Sequence, residues 1–284
     1  MDINRLLDLY AKHRLKISYD SPDSGDHETE AIKHLLNQGY DARKLLRASY
    51  SFSRIGLETV LALETPIVVQ HGLFEGMILY PKSLASSLLP KWQGTYEAEV
   101  QNILLEHTDR VNSFVDIGCA EGFYLAGVAR WLGIPCYGVD VDPLSREAVE
   151  YVANVNNLSE LVHFCDSIDE AVMALQGSAL VLIDVDGNEE QVLNECMASL
   201  LQNTSLSEVR LLIESDKGHG QVQNISSLIS WLVHNDWNIQ TICPQDPSLR
   251  FVRSSSSLSF LTQVLFGTEG RPASQSWILA RRSF

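Results

Sequence analysis

Phe114-Val115-Asp116-Ile117-Gly118-Cys119-Ala120-Glu121-Gly122-Phe123 is the stretch that decides the fold. Phe114, Val115 and Ile117 form a short apolar run with the character of a buried strand, and Gly118 and Gly122 bracket a tight turn. Glycine permits backbone conformations and close approaches that a Cβ forbids. A helix opening after Gly122 would aim free N–H groups and the positive end of its dipole at whatever sits above the strand. A second strand, Cys136-Tyr137-Gly138-Val139, runs into Asp140, about two dozen residues after Asp116. A glycine turn followed by an acid at the next strand's tip is the layout of a nucleotide or nucleoside site. The dinucleotide fingerprint G-x-G-x-x-G is not met, because Ala120 stands at its middle glycine.

Outward from this stretch the pattern alternates. Apolar runs near 113–118, 135–140, 161–165, 179–184 and 207–214 read as strands. Helical periodicity fills the intervals near 122–132, 144–155, 167–175, 188–201 and 219–235. Two more strands are expected at 237–242 and 276–280, separated by a 244–275 insert of the kind that serves as a lid or binding loop. Near-continuous apolar strands between helices predict an α/β fold with a doubly wound, mostly parallel sheet. Upstream, Ile67-Val68-Val69-Gln70 and Met77-Ile78-Leu79-Tyr80 suggest a hairpin, and Thr95 suggests an N-cap for a helix running to about His107. Residues 2–15, 27–38 and 41–62 read as helices, which gives a mainly helical extension over 1–93 ahead of a main domain over 94–284. The extension serves either as a cap or as a homodimer contact.

Composition narrows the partners. The net charge of -15 leans against a general nucleic-acid binder, which needs a basic surface. The five cysteines are scattered with no C-x-x-C pair, which suits a reducing, cytoplasmic setting. Met1-Asp2-Ile3-Asn4-Arg5 lacks the start of a signal peptide, and no apolar run is long enough for a membrane span.

The acids at the strand ends are the candidate site. Asp140 suits a ribose diol, because a carboxylate accepts both hydroxyl hydrogens. Asp142 suits a helix N-cap ahead of Pro143. Asp166 is either an adenine acceptor or an N-cap. Ile183-Asp184-Val185-Asp186-Gly187-Asn188-Glu189 is the most acidic short motif and ends the fourth strand, where reacting groups of such sheets gather. Asp184 there is a base, substrate clamp or metal ligand, with Glu214 as the one obvious partner for a metal; Asp186 is alternatively an N-cap. His219, in a glycine-flanked loop after the fifth strand, and His71, in the hairpin, are candidate bases or substrate ligands. Thr95-Tyr96-Glu97 either closes over the ligand or caps its helix.

Together these residues resemble a known group. Val115-Asp116-Ile117-Gly118-Cys119-Ala120-Glu121-Gly122 is similar to the first motif of class I S-adenosylmethionine (SAM)-dependent methyltransferases, and Gly138-Val139-Asp140 to their ribose strand. Gly94-Thr95-Tyr96-Glu97, the Asp184–Glu189 motif and Leu211-Leu212-Ile213-Glu214 resemble the FkbM-type members, which include sugar and polyketide O-methyltransferases. Cys119 and Glu121 depart from the more usual Ala and Asn, and the resemblance covers only about 94–284. It implies a Rossmann-like seven-stranded sheet whose last strand inserts antiparallel, with SAM as cofactor and a small-molecule hydroxyl as acceptor. The cofactor would be held by Asp116, Gly118, Cys119, Glu121, Gly122, Tyr124, Asp140, Val141, Asp166, Ser167 and Asp184. Asp184, Asp186 and His219 are the candidate bases, and Tyr96, Glu97, Glu214 and His71 the candidate acceptor contacts. No resident metal, nucleic-acid partner or membrane contact is expected. The competing readings are an NAD(P)-dependent oxidoreductase and a non-catalytic scaffold of the same fold.

Overall fold

The computed structural model describes residues 55–63, 66–185, 187–215, 225–246 and 275–284, with Asn37, Gly39 and Leu249. The expected helices at 2–15 and 27–38, most of that at 41–62, and nearly all of the 244–275 insert lie outside the described residues, as do Asp186 and His219.

Helical turns over 55–62 and a hairpin-like loop precede α1 (Leu88–Gln93) and α2 (Ala98–His107). The alternation then follows as β1 (Ser113–Ile117), α3 (Phe123–Leu132), β2 (Cys136–Val139), α4 (Ser145–Val155), β3 (Val162–Phe164), α5 (Ile168–Met173), β4 (Gly177–Ile183), α6 (Glu189–Gln202), β5 (Leu206–Ser215), α7 (Ile225–His234), β6 (Asn238–Pro244) and β7 (Ser276–Ser283). The seven strands form one sheet in the order β3-β2-β1-β4-β5-β7-β6. β1 to β5 pair in parallel, and β7 lies antiparallel to both β5 and β6. This is the Rossmann-like seven-stranded arrangement. The order reverses between β1 and β4, so the crevice above their carboxyl ends is the topological switch point, where open α/β sheets bind ligands.

The strands are buried on both faces, and the period of two sorts their side chains. Leu180 and Leu182 of β4 face a core with α3, α4 and residues 57–104, whereas Val181 and Ile183 face a second core with α5, α6 and α7. The loop before α1 is thus packed on the same face as the helix that follows the glycine turn. Its antiparallel pairing reduces to one bridge, Val68 with Ile78, backed by N–H bonds from Val69 to Met77 O and from Leu79 to Ile67 O. Phe74 at its tip meets Phe123 and Tyr124 edge-on, with ring centroids 5.3 and 6.1 Å apart.

Three termini differ from expectation. Asp142 does not cap α4, whose N-cap position is Leu144 with no side-chain cap bond. Thr95 does not cap α2: its hydroxyl is buried without a partner, and the N-cap position falls to Glu97 in a left-handed conformation (φ 42°, ψ 56°). The α5 cap is Ser167 rather than Asp166: the Ser167 Oγ accepts from Glu170 N, while the Glu170 carboxylate accepts from Asp166 N. That reciprocal arrangement is close to a capping box. α1 takes its cap from far away, because Glu58 Oε1 accepts from Leu88 N (2.7 Å), Leu89 N (3.2 Å) and Ser87 Oγ (2.7 Å).

Gly127 makes the loop-to-helix contact testable. An alanine in mid-helix ordinarily stabilises by about 1 kcal/mol. A Cβ at Gly127 would sit 2.7 Å from the ring of buried Phe74, which has no room to retreat. Overpacking of this kind costs about 1–3 kcal/mol, so Gly127→Ala should lower the melting temperature. A rise on thermal melting would contradict this packing.

Candidate functional site: an acid-lined cavity at the switch point

A cavity of about 750 Å³ opens at the carboxyl ends of β1, β2 and β4. That is within the range for small-molecule sites. Gly118, Cys119 and Ala120 of the glycine turn form its floor with Phe123 and Tyr124 beyond it, whereas Gly122, expected among the cofactor ligands, does not line it. Gly118, Ala120 and Gly122 are all left-handed, with φ of 89°, 46° and 83°. The glycines answer to protein neighbours as well as to backbone: a Cβ on Gly118 would lie 1.8 Å from Asp184 O, and one on Gly122 3.0 Å from Val149 Cγ2. The close approach first assigned to a ligand is made by β4 and α4.

Four of the turn's five amides have acceptors within the protein. Gly118 N and Cys119 N donate to Val139 O, Gly122 N donates to Cys119 O, and Ala120 N donates to Asp140 Oδ2 at 2.7 Å. The other Asp140 oxygen accepts from Asp142 N, also at 2.7 Å. Asp140 therefore staples the turn to the tip of β2 while lining the cavity. Each carboxylate oxygen carries a second lone pair, so the group can still accept from a ligand diol. Asp142 forms a local turn, with Oδ1 accepting from Leu144 N, two residues ahead of α4. Val141, between the two acids, is fully exposed at the cavity's rim.

Asp116 is the deepest acid. It is 2% exposed yet contributes to the cavity wall. Burial, then the charges of Asp184 and Asp140, push its carboxyl well above the usual range; Lys91 and the Leu125 N–H only partly offset them. Burial, then the charges of Asp116 and Asp140, pushes the Cys119 thiol well up as well, which disfavours its thiolate. The stability consequence follows by linkage. Above the ordinary carboxyl value of about 4, the folded state binds more protons at Asp116 than the unfolded chain does, so this group's contribution falls as pH rises. Asp116→Asn should therefore melt higher than the wild type at about pH 8, with the gap closing near pH 4. Equal melting at both values would show that Asp116 carries no such cost.

Opposite Asp116 stands a buried cation. Lys91 is 3% exposed, lines the cavity and is ion-paired with Glu121 of the turn. Its Nζ also lies 4.7 Å from the centre of the Tyr96 ring and 5.8 Å from that of Phe123, a cation–π arrangement. Glu121 further accepts from Ser83 Oγ (3.0 Å) and Leu84 N (3.1 Å). Burial alone would raise its carboxyl, but Lys91 outweighs this and holds it below the usual range. Glu121, expected among the cofactor ligands, is thus engaged in fastening the 83–91 segment over the turn, and it does not line the cavity.

The remaining residues divide. Asp166 and Ser167 line the cavity at its rim, and Arg146 pairs with Asp166 while stacking on Phe164. Tyr96, Tyr124 and Asp184 also line it. Glu97 is fully buried and receives the Tyr124 hydroxyl at 2.8 Å, outside the cavity. Glu214 is likewise buried outside it, accepting from Gln245, and His71 is exposed on the loop. Lys91, Ser86 and the α6 face through Gln191 and Glu195 join the wall with no prior expectation attached to them. The one available signal for Lys91 was a lone charge in the apolar run Leu88-Leu89-Pro90-Lys91-Trp92.

No protein-family model matches the chain, and no curated protein matches it significantly. Solved structures do. The delta-N METTL16 MTase domain aligns at 12% identity and a TM-score of 0.46, over 80% of this chain and 97% of that one. A human methyltransferase 10 domain containing protein aligns at 14% and 0.45, over 78% and 96%. Geranyl diphosphate C-methyltransferase from Streptomyces coelicolor A3(2) aligns at 13% and 0.42, over 67% and 81%. At these identities the likeness concerns the fold, which the strand order establishes by itself. No described helix is long and apolar enough to cross a membrane.

Proposed function

We propose that the chain is a SAM-dependent methyltransferase acting on a hydroxyl of a small, natural-product-like acceptor, in the manner of the FkbM-type enzymes it resembles. The observation that carries the reading is the charge of the cavity. Asp116, Asp140, Asp166 and Asp184 face it, the one lining cation among the described residues is paired with Glu121, and four of the turn's amides are already bonded. A dinucleotide needs open N–H groups for its pyrophosphate, and a wall of carboxylates repels phosphate. A nucleoside bearing a positive charge fits both features.

SAM would supply an activated methyl group on a sulfonium, which leaves the protein the tasks of alignment and water exclusion. Asp140 would accept the ribose hydroxyls, the Gly118–Gly122 turn and Asp116 would flank the amino-acid end, and Asp166 would accept from the adenine amino group. Val141 and Ile168 would offer the purine an apolar seat. Asp184 faces the cavity from the tip of β4 and is the described candidate for receiving the acceptor's proton. Asp186 and His219 remain candidate bases, and the N-terminal helices a candidate homodimer contact.

Val141 tests the reading without disturbing the fold. Its side chain is 102% exposed, so Val141→Asp should leave the melting temperature within about 1 °C. The same change should weaken calorimetric binding of S-adenosylhomocysteine about tenfold through lost apolar contact. Binding of NAD in place of SAM and S-adenosylhomocysteine would instead support the oxidoreductase reading.

A further inference from the structure

The carboxylates in the cavity outnumber what the protein itself can neutralise. Asp140 after β2 and Asp184 after β4 are close enough to act electrostatically on Asp116 of β1. β1 and β4 are adjacent and in register up to Ile117 and Ile183, and Asp184 N donates to Ile117 O, which sets the strand ends side by side. The groups around Asp116 are Asp184, Asp140, the Cys119 and Cys136 thiols, the Leu125 N–H and Lys91. Lys91 is the only cation among them in the described residues, and it is ion-paired with Glu121. The charges at this wall therefore favour the protonated form of Asp116.

We propose that Asp116 is a proton sink tied to the ligand's charge: protonated when the cavity is empty, ionised while a sulfonium occupies it, and protonated again when the methyl group has left. This rests on the methyltransferase reading. In that reaction the S–CH3 bond breaks with its electron pair returning to sulfur, and an O–CH3 bond forms on the acceptor. The hydroxyl proton is then surplus, while the site has just lost one positive charge. Transfer of that proton to the carboxylate wall restores the charge the site held before reaction. A buried carboxyl with like-charged neighbours is suited to this role, because its proton affinity depends steeply on the one cation nearby. Asp116 need not touch the acceptor, because Asp184 also lines the cavity and can receive the proton first.

The test counts protons rather than turnover. Calorimetry of the full chain with SAM, and separately with S-adenosylhomocysteine, is run at about pH 7.5 in two buffers of different ionisation heat. SAM should release about one proton more than S-adenosylhomocysteine on binding, since only SAM carries the sulfonium. In Asp116→Asn, which mimics the protonated acid and should fold, both ligands should give the same count. Equal release by both ligands in the wild type, or a difference that persists in Asp116→Asn, would overturn the proton-sink role and leave the nucleoside site standing. Failure of either ligand to bind would overturn both.

Discussion

Asp140→Ala should lower affinity for S-adenosylhomocysteine by at least about 100-fold, and Asp140→Asn should be nearly as damaging. The reason is a double duty. Each Asp140 oxygen accepts a backbone N–H at 2.7 Å, from Ala120 in the glycine turn and from Asp142 beyond β2. The same carboxylate faces the cavity. Alanine removes both ties and the proposed ribose contact, and hydrogen bonds to a charged group are worth about 1.5–3 kcal/mol each. Asparagine keeps one carbonyl acceptor, but its NH2 must then face an N–H donor, so one of the two ties becomes repulsive. Ala120 is already held at φ 46°, a conformation unfavourable for a residue with a side chain. Once untied, it should relax and carry the turn with it. Calorimetry with S-adenosylhomocysteine reads the affinity, and thermal melting separates binding loss from unfolding. Wild-type affinity in Asp140→Asn would show that the two backbone ties, and the ribose contact with them, are dispensable.

Lys91→Met should be among the most destabilising single changes in the 83–91 segment. It leaves Glu121 buried with its cation gone, and breaking a buried pair by removing one partner costs about 3–5 kcal/mol. The expected drop in melting temperature is on the order of 10 °C. Lys91→Met combined with Glu121→Gln should recover most of it, because no uncompensated charge is then buried. The pH dependence runs opposite to that of Asp116. Glu121 is held below its ordinary value, so its contribution is present above about pH 4.3 and is lost as pH falls through the depressed value. Wild type and Lys91→Met should therefore converge in acid. A single mutant as stable as the wild type at neutral pH, followed by thermal melting, would show that the pair does not fasten the 83–91 segment.

These two residues mark where sequence reading succeeds and where it stops. The place of Asp140 at the cavity is legible because it is set locally: a carboxylate follows a four-residue apolar strand, and the glycine turn lies one β–α unit upstream. The five parallel strands are legible for the same reason, since each is a short apolar run bounded by turn chemistry. Thr95 misleads because a hydroxyl ahead of a helix is a good N-cap only when the backbone places it there. Glu97 occupies that position instead, in a left-handed turn. Asp166 misleads by a single residue, because Ser167 next to it can make the same cap.

The sequence by itself determined the strand–turn–helix at 113–132, the parallel alternation and the acids at the strand tips. Those features depend on periodicities of two and 3.6 and on residues within a turn of one another. Tertiary structure alone decided the charge balance of the cavity. Lys91 and Glu121 are separated by 30 residues in the chain and meet because the 83–91 segment folds back over the turn. That contact takes up the cation that would otherwise neutralise Asp116. The bonds of the Gly118, Cys119 and Ala120 amides are likewise set by β2 and Asp140, and burial, which no local pattern encodes, raises the Asp116 carboxyl well above its ordinary range.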